Sequence, residues 1–440
     1  MLKKILLILN VSLMIICLSL GIVGYIYRPI NVLDVKYILT DKTITAEIKM
    51  SGNLSETNCV YDDLVVPVIN NECELVIPNE KTAISIKNQR NTISYVLNPN
   101  VNQIVDFTLD ESKTYLHIGE TKEVEFSVDQ IGNPDDIITL TAEDESIVSI
   151  EKNVITGVSS GKTIVHATAN NITKDIEVIV TDLITLPVWK GQDKSLLPCN
   201  VYTEEDTKLL EEFLEYEIDK VGYQTRMAAV IAARFLTLEF PYRIPYFFEN
   251  GRVSDTGVHF VDGEGRYYKK GLYLAESKKN DIIASWTGPA IWGCPLKNLE
   301  TDELNRYYGG EMRPNGLDCS GFVSWALVQA GFDPGDNGAG ENPENPKQMT
   351  DLGKFTTLTK DLIYSGKIKV GDLFNYWGHI AILVGIDENN FYIAESLPGY
   401  RFDGVTVKKY PKETVNQEFG FVVLMDDFYK EDGLYSEYWE

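Results

Sequence analysis

The sequence predicts a multidomain chain: an N-terminal transmembrane helix, two all-β sandwiches, and a C-terminal α+β domain. Three observations predict it. An uncharged apolar run fills residues 5–27, short alternating strands fill 33–182, and after about residue 183 the apolar period turns helical before returning to strand. At 440 residues the chain is long enough for several domains, each with its own core. A composition of 44% hydrophobic and 11% aromatic residues is that of an ordered protein. The formal net charge of -25 argues against a nucleic-acid surface, which needs basic stripes, and against gripping an anionic polymer by charge alone.

Lys3 and Lys4 precede ILLILNVSLMIICLSLGIVGYIY, which carries no charge. About 20 apolar residues span a bilayer as a helix, whereas the apolar part of a cleavable signal has about 7–15 and ends in small residues. This run is longer and ends in Tyr25, Ile26 and Tyr27, an interfacial aromatic edge. Residues 1–28 therefore read as a retained signal-anchor, with a cleaved signal as the alternative. By the positive-inside rule the lysines put the rest of the chain outside. The expected location is the cell membrane, single-pass with an extracellular C-terminal region, or secreted if the segment is cleaved. Cys17 lacks the small residues that a lipid-attachment site wants before it. An oxidising exterior gives the remaining cysteines meaning. Cys59 and Cys73 flank VYDDLVVPVINNE and could close a hairpin, Cys199 and Cys294 lie farther apart, and Cys319 is left over.

From 33 to 182 the runs KYILT, ITAEIKM, LVVPVI, AISIK and TISYVL alternate between turn signals at the spacing of β-sandwiches. The stretch VNQIVDFTLDES reads as the joint between two units, 29–103 and 104–182. In the second, SIVSI is followed by VITGVSSG, with Gly157 and Gly161, and by a closing strand from Ile176 to Thr181. That order resembles the group 2 bacterial immunoglobulin-like domain, without the Trp and Ser often found before its D-x-S turn. The resemblance implies an extracellular spacer or binding module, and both sandwiches are expected to be Ig-like.

A Pro-containing linker covers 183–204. TEEDTKLLEEFLEYEIDKVG reads as a helix capped by Thr203, and QTRMAAVIAARFLTLEF as a second helix stopped by Pro241. Farther on, NGLDCSGFVSWAL places Asp318 as an N-cap, with Phe322, Val323, Ala326, Leu327 and Ala330 on one helical face and Gly331 as the stop. Cys319 then falls in the first turn, where the helix dipole favours a thiolate, and the small Ser320 and Gly321 leave room for substrate. A buried core cysteine is the competing reading.

A nucleophile needs a base, and the chain has four histidines. His117 and His166 lie in β-domain strands and His259 in a loop or strand, all readable as structural. His379 opens GHIAILVGI, an apolar run that reads as a central strand, so its ring can stand at the strand's end and take the thiol proton. The turn DENN then returns the chain as FYIAESL, bringing Ala394 or Glu395 to the level of His379. Only Glu395 has a side chain able to fix the imidazole tautomer. Asp372, in VGDL, reads as turn chemistry. There is no CxxC pair and no His-x₃-His, so no metal and no cofactor is expected.

Asp-Cys-Ser-Gly-Phe-Val opening a helix, then Val-Gly-Asp-Leu before Gly-His-Ile-Ala-Ile-Leu-Val-Gly, resembles the NlpC/P60 superfamily of papain-like cysteine peptidases, over roughly residues 205–428. The resemblance implies Cys319 as nucleophile and His379 as base, with Tyr308 of Tyr308-Gly309-Gly310 as the active-site tyrosine. Tyr308, Asp318 and Ser320 are assigned to the substrate side. The third position is often a second His in that family; a Glu there is closer to the related CHAP amidases. PYRIPYFF stands where the family has a Pro-Tyr element, followed by an insertion near 249–305. The resemblance implies peptidoglycan as partner and substrate, cut as a D-γ-glutamyl endopeptidase or as an N-acetylmuramoyl-L-alanine amidase, from a domain spanning 205–440. A non-catalytic surface adhesin or scaffold, and acyl transfer to or from a lipid, are the readings from other classes.

Overall fold

The computed structural model describes residues 2–26, 28–40, 43–134, 137–185, 194–247, 270–278, 286–299, 301, 307–335, 337–340, 348–399 and 404–429. His259 and most of the insertion near 249–305 lie outside them. Two compact units emerge: 1–114 with 121–179, and 115–120 with 180–440.

The expected fold class is corrected. The structure is mostly β-sheet, 42% strand against 19% helix, and the described residues form no long α+β papain-like domain. The expected transmembrane helix is corrected too. Helix α1 (Leu2–Ile26) forms on the apolar run. Among the described residues no helix is long and apolar enough to cross a membrane. The membrane as a partner through this helix, and the single-pass location, are withdrawn with it.

In the first unit two sheets share one core. One runs Asn31–Thr40, Thr43–Ser51, Glu72–Ile77; the other runs Leu64–Pro67, Asn58–Tyr61, Thr82–Lys87, Thr92–Leu97. The alternation is plain in Thr43–Ser51, where Ile44, Ala46, Ile48 and Met50 turn inward to meet Leu75, Ile84 and Ile86. Cys59 and Cys73 do form a disulfide, but it is not a hairpin closure. It ties the strand Asn58–Tyr61 of one sheet to Glu72–Ile77 of the other, inside the core. Residues 103–181 add further short antiparallel ladders, among them Val148–Glu151 against Val154–Gly157 and Thr139–Ala142 against Gly161–Ala169.

The second unit is built on a six-stranded antiparallel sheet in the order Lys354–Thr357, Phe421–Leu424, Leu373–Tyr376, His379–Ile386, Asn390–Leu397, Gly404–Pro411. The strand His379–Ile386 is buried at every position, as an unbroken apolar run in the middle of a covered sheet must be. Helix α2 (Glu204–Val221) carries a full capping box between Thr203 and Asp206. It packs on α3 (Arg226–Arg234), and α3 and α4 (Cys319–Gln329) pack on the sheet. The expected single helix over 224–240 is in fact α3 followed by a π-helical turn, Phe235–Glu239. Helix α4 is buried on all sides rather than on one face; even its polar Gln329 is inside, accepting the N–H of Gly271. Cys199 and Cys294 are also disulfide-bonded.

Candidate active site around Cys319

Asp318 caps α4: its carboxylate accepts the N–H of Gly321 at 2.7 Å and the hydroxyl of Ser320 at 3.1 Å. Asp318 and Ser320 therefore bond to each other at the helix start, and both are buried. The residues just before the cap are held from two sides. Leu317 donates its N–H to Pro245 O at 3.0 Å, and its carbonyl accepts the hydroxyl of Ser396 at 2.7 Å. A Cβ on Gly316 would stand 1.9 Å from Pro245 O, so only glycine lets the two segments close together. Ile244, one residue earlier, accepts the N–H of Val405. The segment Ile244–Pro245 thus splints the start of α4 to the sheet, a role that the aromatic-rich PYRIPYFF did not announce.

Cys319 carries no disulfide and is buried. Its Sγ lies 3.9 Å from the carbonyl oxygen of Gly378, the residue before His379. The histidine opens its strand after a two-residue hairpin, Trp377–Gly378, in which Tyr376 pairs with His379 and Gly378 takes a φ of 69°. Asn375 fixes the backbone there, donating to His379 O at 2.8 Å and to Ala339 O at 2.9 Å.

The third group is Glu395, though not by standing level with His379 as expected. Ala394 faces Ile382, so Glu395 continues the register opposite Ala381, and His379 is its diagonal neighbour on the same face. Long side chains close that diagonal. His379 Nε2 meets Glu395 Oε2 at 2.9 Å, both side chains almost wholly buried. Glu395 Oε1 accepts the hydroxyl of Tyr410 at 2.6 Å and lies 3.5 Å from Lys408 Nζ. Burial alone would raise the carboxyl; the hydrogen bond and charge of His379, then Lys408 and Tyr410, outweigh it and hold Glu395 below its ordinary value. The same burial, reinforced by the carboxylate, pushes Tyr410 well above the usual phenol range. The imidazole is walled by Tyr376, ring centroids 4.9 Å apart, and by Phe419, at 6.3 Å and nearly parallel. Burial raises Tyr376, and the charges of Glu395, Cys319 and Glu418 add to it, so Tyr376 is in electrostatic reach of both the thiol and the carboxylate.

Tyr308 stands apart in its bonding. It is 70% exposed on a turn, its N–H donated to Glu311 and its carbonyl accepting from Asn298. Asp372 is no mere turn residue: it accepts from Arg226 Nη1 at 2.9 Å and from the N–H groups of Lys369 and Met425, entirely inside. His117 and His166 have carboxylate partners of their own, Glu120 and Asp175. Among the described residues no group of three or more His, Cys, Asp or Glu side chains is placed to hold a metal ion.

No protein-family model and no curated protein matches the chain. Among solved structures it is similar to domains 4 and 5 of the S-layer protein SbsC, at 13% identity over 28% of this chain and 75% of that one, with a TM-score of 0.18. It is also similar to SbsC domains 1–6, at 12% identity over 37% of this chain and 30% of that one, TM-score 0.19. The insect immune protein hemolin gives 11% identity over 35% of this chain and 47% of that one, TM-score 0.23. At these scores the likenesses carry no argument about this chain's fold or chemistry.

Proposed function

We propose that the chain is a thiol-dependent hydrolase of amide bonds in peptidoglycan stem peptides, with Cys319 as nucleophile, His379 as base and then acid, and Glu395 as the group that orients the imidazole. One observation carries the reading: a buried thiol lies against the carbonyl of Gly378, next to a histidine whose Nε2 is bound to a buried carboxylate. With Nε2–H given to Glu395, Nδ1 is the ring nitrogen left to take the thiol proton. Sulfur then adds to the carbonyl carbon, and the oxygen takes the negative charge. The N–H of Cys319, in the first helical turn, is the donor proposed for that oxyanion. Collapse expels the amine with the proton from His379, leaving a thioester. Water, deprotonated by His379, hydrolyses it and restores the thiol.

The resemblance to the NlpC/P60 superfamily implies the substrate, and an endopeptidase cut beside a D-γ-glutamyl residue. Glu395, rather than Ala394, meeting His379 favours the second reading, an N-acetylmuramoyl-L-alanine amidase. Digestion of purified peptidoglycan with the protein and with Cys319→Ala, followed by mass measurement of the fragments, tests both. Fragments cut within the stem, absent from the variant, are expected for the endopeptidase; whole stems released from glycan would make it the amidase. No release by either protein from pH 5 to 8 under reducing conditions would sink the hydrolase and leave a non-catalytic scaffold.

A further inference from the structure

We propose that Trp377 is a stacking platform for a saccharide ring of the substrate, so that the enzyme acts on stem peptides still attached to glycan rather than on free peptides. The inference rests on the hydrolase reading above and goes on to its substrate. Trp377 is 78% exposed, more than any other large hydrophobic residue described, and it sits at the apex of the hairpin that delivers His379. The hairpin needs Gly378, whose φ is 69°, but nothing in the turn asks for an indole beside it. Leaving so large an apolar ring in water gains the fold nothing.

Its position gives it a use. The next residue's carbonyl oxygen lies 3.9 Å from the Cys319 sulfur, so the apex faces the thiol through Gly378 and solvent through Trp377. Consecutive Cα atoms are about 3.8 Å apart, which puts the indole at the lip of the site. Beside it Tyr376 is 40% exposed and continues the aromatic surface to the His379 ring. A pyranose ring presents a flat face of C–H groups that an indole covers without needing hydrogen bonds. A stem peptide presents polar backbone, which calls instead for donors and acceptors. Tryptophan in such places typically dominates the binding energy.

The test compares hydrolysis of a glycan-attached stem peptide and of the same peptide free, by the wild-type chain, Trp377→Ala and Trp377→Phe. For the alanine variant KM on the attached substrate is expected to rise at least about tenfold with kcat within twofold, free-peptide hydrolysis to stay within twofold, and Trp377→Phe to recover most of the loss. Equal losses on both substrates, or none on the attached one, would overturn the proposal. If the wild-type chain cleaves neither substrate, the hydrolase reading has failed. The platform is then judged by titrating a β-1,4-linked N-acetylglucosamine tetramer into the wild-type chain and Trp377→Ala. Binding weakened at least about tenfold by the substitution supports it, and equal affinity or no binding by either protein overturns it.

Discussion

Two imidazole–carboxylate pairs in the second unit look alike, one with a half-buried carboxylate and one wholly inside. His117 meets Glu120, three residues along the chain, and His379 meets Glu395 across two strands. In both, burial would raise the carboxyl, and the histidine with its neighbours (the His117 backbone and Lys220 for Glu120, Lys408 and Tyr410 for Glu395) outweighs it, so both lie below their ordinary value. The neighbours differ. The other nitrogen of His117 faces Glu239 at 4.0 Å, a carboxyl that burial, then Glu217 and Glu120, push up to about 8. His379 stands one residue from the carbonyl that touches a thiol. A histidine bound to a carboxylate thus occurs more than once in this chain; what sets His379 apart for the proposed proton transfer is the thiol beside it.

The largest expected effect breaks the comparison outright. His379→Ala should lower turnover on the order of 10⁴-fold or more, and cut alkylation of Cys319 near neutral pH about tenfold or more. His117→Ala should leave alkylation within about twofold of wild type. Comparable losses from both would mean that His379 has no special standing. Glu395→Gln comes next. It keeps the shape but loses the charge that holds the tautomer, so turnover should fall on the order of 10²–10⁴-fold while substrate KM stays close to wild type. Stability gives a second readout. A carboxyl held below its ordinary 4.5 stabilises the fold above that pH and ceases to do so as the pH falls through its lowered value. Urea midpoints from pH 6 to 3 should therefore fall more steeply for wild type than for Glu395→Gln.

The third expectation concerns the other pair and has the opposite sign. Glu239 is surrounded by His117, Glu120 and Glu217, with Lys194 and Lys220 as the opposing charges. Its carboxyl is raised, so the contribution from its neutral form is present below about 4.5 and is lost as the pH climbs through about 8. Glu239→Gln should make the fold more stable than wild type at pH 9, by about 4–5 kcal/mol, and nearly neutral at pH 5. Urea unfolding at the two pH values measures it; a variant equally destabilised at both would show that the carboxylate is wanted there.

What was legible in the residues was local. Asp318 announced the start of α4 because a cap needs only its next three residues, and HIAILVGI announced a central strand because burial on both faces needs an unbroken apolar run. Glu395 was reached because, of Ala394 and Glu395 on the returning strand, only it has a side chain able to bond the imidazole, although the register set it diagonal to His379 rather than level. The partners that come from afar were not legible. Arg226 and Asp372 are 146 positions apart, and the VGDL turn around Gly371, with its φ of 86°, hid a carboxylate committed to a buried ion pair. Tyr410 and Phe419 carried no signal in the sequence, and only the fold brings them against Glu395 and His379. The apolar run 5–27 shows the reverse failure: composition alone suggested a span that the described helix does not supply.

The smallest expected effect isolates the part of the His379–Glu395 pair that His117 lacks. Glu120 has no phenol against it among the bonds described, whereas Glu395 takes a 2.6 Å hydrogen bond from Tyr410 on the oxygen that does not meet His379. Tyr410→Phe removes that donor and little volume. A hydrogen bond to a charged acceptor contributes about 1.5–3 kcal/mol, so the fold should weaken by roughly that amount. The carboxylate, one donor poorer, draws the imidazole proton more strongly, and its own pKa rises toward the ordinary value. Turnover should then fall no more than about tenfold, with the acid limb of its pH profile displaced upward. The displacement is what separates a positioning role from simple packing. Tyr410→Phe that loses stability but keeps the acid limb where wild type has it would make the tyrosine a filler of the Phe419 wall, and leave His379 and Glu395 to set the proton's place unaided.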